Sequence, residues 1–316
     1  MSAEASTPLY LTRLITNICA PTFVFLARVS AGLMAERKSK AELSRFLLLR
    51  GMWLILLEVT IVNFGWKFEF SGFPGHFMLQ VIWAIGVSMI ALAGFIHLPR
   101  AAVWGTGLGI VCAHNVLDAL LPEAGFPFNT SPLWLNVHRS IIWEAGGYKF
   151  FILYPVLAWA GVMACGFGLA QVFRWEAVKR IQFFSRLGSV LVLLFFVIRG
   201  LNLYGDPQPW QMNENINLVV RDFFNVNKYP PSLLFLCFNL GFVLFILAAV
   251  ERWKPPLNSM MITIGRVPLF YYVGHIYLAH ALAVLVGTLQ GFKATDMMVM
   301  FIGFPEGYGF GMPGVY

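Results

Sequence analysis

PSLLFLCFNLGFVLFILAAV, residues 231–250, carries no charged side chain and is followed at once by Glu251, Arg252 and Lys254. An apolar run of this length crosses about 30 Å of hydrocarbon as a helix. Comparable runs recur at 11–35, 46–66, 76–97, 101–121, 151–173, 181–204 and 258–290, separated by breaks that hold most of the charges. Of the 316 residues, 59% are hydrophobic and 12% charged, and the mean hydropathy is +0.72. Soluble domains carry about a quarter charged residues, so this chain has too few charges to cover a water-exposed surface. The pattern predicts an all-α, polytopic transmembrane helix bundle of about eight spans, read as one domain over 1–316. Pro268 in the last run predicts a kink, because proline removes a backbone donor and clashes with the preceding turn.

Lys and Arg accumulate on the cytoplasmic side of membrane proteins. One set of loops holds Arg37, Lys38, Lys40, Arg45, Arg100, Arg174, Lys179, Arg180, Arg252 and Lys254. The longer, opposite loops hold Lys67, Arg139, Lys149, Arg221, Lys228 and Lys293. The first set is therefore cytoplasmic, and the net charge of +7 reads as topology, not as a nucleic-acid footprint. This orientation puts residue 1 outside the cytoplasm with no apolar segment before it, and YGFGMPGVY closes the chain after an outer loop, so both ends read as cut short. Cys19, Cys112, Cys165 and Cys237 stand alone in apolar sequence, as small buried hydrophobes do, and lack the spacing of a zinc or redox pair.

Ionisable groups inside a span are costly and mark functional positions. At about 1.5 Å per residue from the cytoplasmic entry of the fourth run, His114 lies about 20 Å deep and Asp118 about 26 Å deep, on one helix face. In the last run Arg266 lies about 12 Å and His275 about 25 Å from the cytoplasmic end, with Tyr271 and Tyr272 on neighbouring faces. Asn17, about 9 Å below the outer surface, falls at a similar depth. Together these residues predict a polar cavity opening to the outer face, with His275 or His114 as general base and Asp118 orienting His114. A buried His/Asp pair of purely structural use fits the same spacing. Glu58, Asn63 and Asn239 read as interhelical hydrogen-bonding groups, and Arg199 and Asn202 as residues snorkelling at an outer end. His76, His97, His138 and His280 read as interfacial. Arg266 and the basic inner loops suit an anionic cofactor such as a nucleotide or coenzyme A. No phosphate-binding glycine loop, zinc-type His/Glu helix or G-x-S-x-G elbow occurs.

Several phrases form a set: ICAPTFVFLA at 18–27, LRGMWLILLE at 49–58, AHNVLD at 113–118, YPVLAWAGVMACGFGLA at 154–170, RGLNLYGDP at 199–207, NKYPPSLLF at 227–235 and GRVPLFYYVGHIYLAH at 265–280. In this order, over essentially the whole chain, they resemble the bacterial membrane-protein family related to the catalytic domain of heparan-alpha-glucosaminide N-acetyltransferase. The resemblance implies a multi-spanning enzyme of the bacterial inner membrane that draws acetyl groups from cytosolic acetyl-CoA and passes them to an extracytoplasmic glycan or other acceptor. The family's His-Asn…Asp motif falls on His114, Asn115 and Asp118, its Tyr-Val-Gly-His motif on His275, and a family glutamate on Glu58. Asn17 and Arg28 depart from the family's histidine and glycine at those positions. Family members also carry one further helix at each end, the first bearing an acidic residue and a histidine.

The leading expectation is thus a membrane-bound acetyltransferase in which His275 or His114 removes the acceptor proton, Asp118 orients His114, and Arg266 helps hold the phosphates of acetyl-CoA. The expected partners are the lipid bilayer, acetyl-CoA and an extracytoplasmic glycan, with no nucleic acid; an oligomer is compatible with the sequence. A degenerate, non-catalytic membrane scaffold is a second expectation, motivated by Asn17 and Arg28, and a transporter is a third, since polar groups near mid-membrane also mark substrate paths.

Overall fold

The computed structural model describes residues 7–34, 37–69, 75–121, 132–253, 256, 259–297 and 307–308, with the side chains of Arg28, Ser30 and Ala31 outside that description. The role expected of Arg28 therefore lies outside the described residues. The chain is mostly helical, with little strand.

Helix α1 (Thr7–Thr16) leads through a turn at Asn17 into α2 (Cys19–Met34). Helix α3 (Lys40–Leu57) passes through a π-turn at Glu58–Val62 into α4 (Asn63–Lys67), followed by strand β1 (His76–Leu79) and α5 (Val81–Phe95). Helix α6 (Arg100–Ala113) tightens to a 3₁₀ turn at His114–Val116 before the short α7 (Leu117–Leu120). A 3₁₀ segment at Leu133–Val137 precedes β2 (Ile141–Ala145) and β3 (Tyr148–Ile152), and α8 (Val156–Gly168) runs into 3₁₀ geometry over Leu169–Arg174. There follow α9 (Ala177–Leu201), α10 (Ile216–Phe224), α11 (Leu233–Trp253), α12 (Ser259–Arg266), α13 (Pro268–Leu289) and α14 (Ala294–Met297). The strands form one three-stranded sheet in the order β1-β3-β2.

Among the described residues, seven helical stretches are long and apolar enough to cross a membrane: Thr7–Met34, Lys40–Lys67, Arg100–Leu120, Val156–Arg174, Ala177–Leu201, Leu233–Trp253 and Pro268–Leu289. The remaining run expected to span, 76–97, resolves into β1 and the 15-residue α5. Phe77, Met78 and Leu79 are as apolar as the helix they precede, so composition could not separate strand from span; ladder pairing satisfies their backbone instead. The last run breaks where Pro268 stands: α12 ends at Arg266, Val267 adopts a non-helical φ of −125°, and Pro268 opens α13 at its first position, where a missing N–H costs nothing.

The chain divides into two compact units. The first comprises Met1–Ile55, Leu79–Glu144 and Phe151–Pro255. Its centre is α8, which packs against α2, α5 and α6, while α9 pairs with α11. The central helix reads VLAWAGVMACGFG, and its small residues let neighbours approach closely, the usual means of helix association where lipid is as apolar as leucine. A Cβ on Gly107 of α6 would stand 2.8 Å from Ala164 Cβ and 2.9 Å from the Gly161 carbonyl, so only glycine fits that crossing.

The second unit comprises Leu56–Met78, Ala145–Phe150 and Pro256–Tyr316. Here α13 packs on α4 and α14. The ring of Tyr277 would lie 2.6 Å from a Cβ on Gly65, and Tyr277 donates its hydroxyl proton to the Ile61 carbonyl at 2.8 Å. Asn63 donates to the Met78 carbonyl at 2.8 Å and accepts from the Met78 N–H at 3.0 Å. The group expected to bridge helices thus ties a helix to strand β1. Asn239, in the first unit, bonds within its own helix, donating to the Phe235 carbonyl at 2.8 Å.

Candidate functional site

The site in the first unit begins with the break in α6. The His114 ring folds back so that Nδ1 lies 2.9 Å from the Val111 carbonyl, and Nε2 lies 2.9 Å from the Pro231 carbonyl. Carbonyls only accept, so the neutral ring donates through one nitrogen while its other lone pair faces an oxygen. His114 is 2% exposed and offers no basic lone pair to a substrate. With both ring nitrogens turned to backbone carbonyls, it joins the break in α6 to the start of α11.

Asn115 makes the next joint. Its Oδ1 accepts from the Leu233 N–H at 2.8 Å, and its Nδ2 donates to Asp118 Oδ2 at 2.7 Å. Leu233 opens α11, and the first N–H groups of a helix lack intrahelical partners; Asn115 supplies one and Ser232 another, its Oγ accepting from the Phe235 N–H at 3.0 Å. Short polar side chains favour such local bonds over continued helix, which accounts for the 3₁₀ turn at His114–Val116.

Asp118 was expected to orient His114. Its partner is instead His138, whose Nε2–H donates to Asp118 Oδ1 at 2.7 Å. That bond fixes the tautomer and leaves Nδ1 as the basic lone pair. His138 is 1% exposed, and its Nδ1 has no hydrogen-bond partner among the described residues. The His114 and His138 rings meet edge to face, 5.5 Å between centroids. Arg139 beside it donates through Nη2 to the carbonyls of Asp118, at 2.8 Å, and Leu121, at 3.2 Å, satisfying acceptors that the end of a helix leaves open. The arrangement is a carboxylate held by an amide, on a helix end whose backbone carbonyls an arginine caps, and a histidine held by that carboxylate. Oriented in this way, a histidine can take a proton from a hydroxyl or amine.

His138 was read as interfacial because no sequence signal joins it to Asp118: twenty residues separate them, without periodicity. Arg199 was read as snorkelling but is 1% exposed. Its guanidinium donates to the carbonyls of Phe223 at 3.0 Å, Gln208 at 2.8 Å and Asp222 at 2.9 Å, and one Nη lies 3.9 Å from Asp206. Asp206 accepts from the N–H groups of Asn227 and Gln208 and from the Ser232 hydroxyl. Burial pushes the Asp206 carboxyl above the usual carboxylate range, against the pull of these donors and of Arg199. This network holds the segment between α9 and α11 whose Pro231 carbonyl receives His114.

In the second unit His275 is exposed on α13. Its ring stacks on Tyr271 at 6.0 Å and meets Tyr272 edge-on at 5.4 Å, with Nδ1 3.3 Å from the Tyr271 carbonyl. Arg266 is exposed at the end of α12. His280, read as interfacial, is buried: its nitrogens face the Gly65 carbonyl at 2.8 Å and the Met297 carbonyl at 3.0 Å, and its ring stacks on Phe68. Among the described residues no group of three or more His, Cys, Asp or Glu could hold a metal ion. Asn17 is buried at the turn between α1 and α2.

These features define a multi-pass membrane protein. No protein-family model matches the chain, and no curated protein matches it either.

Proposed function

We propose that the protein is a membrane-embedded acyltransferase in which His138, oriented by Asp118, takes the proton of the acceptor. The single observation that carries this reading is the 2.7 Å bond from His138 Nε2 to Asp118, with Nδ1 unpartnered among the described residues. The acceptor's hydroxyl or amine loses its proton to Nδ1 as its oxygen or nitrogen bonds to the acyl carbon of a thioester. The carbon–sulfur bond breaks, and the thiol leaves with a proton. On the sequence orientation Asp118 lies near the outer end of its span, where an extracytoplasmic acceptor would arrive. His138 Nδ1 is closed to water, so the acceptor reaches it only when the groups that cover it move. Acetyl-CoA as donor and a glycan as acceptor follow from the resemblance in the motifs. Arg266, exposed and without an ion pair among the described residues, is free to meet the donor's phosphates. His275, exposed between two tyrosines, is the alternative proton acceptor.

The test is incubation of membranes with labelled acetyl-CoA, with and without the expressed protein, followed by analysis of the lipid and glycan fractions. Label that depends on the protein and is lost in His138→Gln supports the reading; no protein-dependent label sinks it. The burial of His138 Nδ1 favours a second reading, a non-catalytic scaffold in which the dyad only fastens the loop. Under that reading His138→Gln lowers the melting temperature and there is no transfer to lose.

A further inference from the structure

Helix α9 carries a charge that neither topology nor the proposed chemistry uses. Arg186 is exposed on a helix whose apolar stretch is only 17% buried by protein. It stands about 13 Å along α9 from Ala177, at 1.5 Å per residue. An arginine that far into a span is expensive unless it reaches the interface or a counter-charge. No ion pair to Arg186 forms among the described residues. Arg180, one helical turn and a half earlier, is by contrast committed: it binds both Glu251 carboxylate oxygens and the Phe173 and Trp175 carbonyls.

Arg186 borders a recess of about 470 Å³ with Trp175, Lys179, Gln182 and Phe183. Phe183 also borders a second cavity, of about 240 Å³, that runs on between α2, α6, α8, α9 and α11 and has no charged side chain in its wall. Lys179, Phe183, Leu187 and Leu191 recur every fourth residue and so form one stripe along α9. That stripe is cationic at the cytoplasmic end and apolar for the rest of its length. Trp175 meets Phe183, the residue that lines both cavities, edge to face at 5.3 Å. Lys179 shares its charge with Glu176 at 3.7 Å, both side chains being more than 70% exposed, so this pair is weak and exchangeable.

We infer that this groove is a binding site for an anionic glycerophospholipid, with the phosphate between Arg186 and Lys179 and one acyl chain in the apolar cavity beside Leu187 and Leu191. Arginine pairs bidentately with phosphate, which would settle a charge otherwise stranded beside hydrocarbon. Gln182 adds a neutral donor to the headgroup. The cavity walls, which hold no charged group, match a hydrocarbon tail. A coenzyme A thioester of acetate has phosphates for the recess but only a two-carbon acyl group for the cavity. The commitment is therefore to a lipid of the inner leaflet.

The experiment is native mass spectrometry of the full-length detergent-solubilised protein, titrated with dioleoylphosphatidylglycerol and, separately, with dioleoylphosphatidylcholine, which carries the same tails. The expected result is retention of one phosphatidylglycerol about tenfold more tightly than phosphatidylcholine. The double variant Lys179→Gln/Arg186→Gln should bind the two lipids equally. Leu187→Trp, and Leu191→Trp should the first fold poorly, should weaken both lipids by filling the tail cavity. Equal retention of phosphatidylglycerol by wild type and the double variant would overturn the inference. So would displacement of the lipid by glycerol 3-phosphate or coenzyme A at matched concentration, since either would mean that the tail contributes nothing.

Discussion

His138 differs from the other buried histidines in what its second nitrogen meets. His114 and His280 each lie between two carbonyl oxygens, whereas His138 has a carboxylate on one side and, on the other, an Nδ1 with no partner among the described residues. The first two should therefore behave as structural joints: His280→Ala, which takes the ring's donor from a buried carbonyl, should lower stability by about 1–3 kcal/mol, read as a fall in melting temperature in detergent. An unchanged melting temperature would mean that the two contacts carry no net energy. Arg199 calls for a larger effect. Its side chain and that of Asp206 are each 2% exposed, and removing one partner of a buried ion pair costs about 3–5 kcal/mol. Arg199→Met should leave Asp206 charged without its cation and several carbonyls unpaired, and is expected to abolish recovery of folded protein; recovery at the wild-type level would contradict the network. Asp118 was legible in the sequence because a carboxylate inside an apolar run stands out. Its partner was not, because the bond to His138 closes across a loop and leaves no periodic trace. The same holds for Arg199, whose hydrogen bonds go to backbone carbonyls and so have no side-chain signature.

Elements were read best where length and composition alone decide. The runs at 231–250 and 181–204 became α11 and α9, and the break at Pro268 fell where the missing donor required it. The reading failed at 76–79, where apolar residues pair as a strand, and at His114–Val116, where side chains of His114 and Asn115 draw the backbone out of α-helix. Both misses have one cause: hydrophobicity reports what a segment avoids, not which groups satisfy its backbone. The crossing of α6 and α8 gives a clean test of packing. Gly107→Leu drives a side chain into Ala164 and Gly161, whereas a Cβ on Gly105, two residues away, meets nothing within 4 Å. Gly107→Leu should cost upward of about 1–3 kcal/mol, as overpacking does. Gly105→Leu should be neutral or slightly stabilising through better helix propensity. Equal melting temperatures for the two variants would mean that α6 and α8 do not cross at Gly107.

At the scale of the whole molecule, orientation and pH response follow from the charges. If the loops rich in Lys and Arg are cytoplasmic, Lys38→Cys in a cysteine-free background should react with an impermeant maleimide only from the cytoplasmic side, and Lys228→Cys only from outside; the reverse pattern would invert the topology. His76, in strand β1 outside the spans, has its pKa held below the ordinary value by burial and then by Lys67, with Glu69 opposing. A folded pKa below the unfolded one means that unfolding takes up a proton as the medium becomes acidic. The stability it contributes is therefore present above about pH 6.5, the ordinary histidine value, and is lost as pH falls below it. Melting temperatures between pH 7.5 and 5 should fall for the wild type and fall less for His76→Gln; parallel curves would exclude His76 as the cause. The claim on which the functional account rests is that His138, and neither His114 nor His275, is the working base. The direct measurement is the rate of acetyl transfer from labelled acetyl-CoA by purified protein in liposomes, per folded molecule, for His138→Gln, His114→Gln and His275→Ala. The account predicts a loss of about 10²–10⁴-fold for His138→Gln, the range of general-base catalysis, with the other two variants near the wild-type rate; a wild-type rate for His138→Gln, or the large loss at His275→Ala instead, would contradict it.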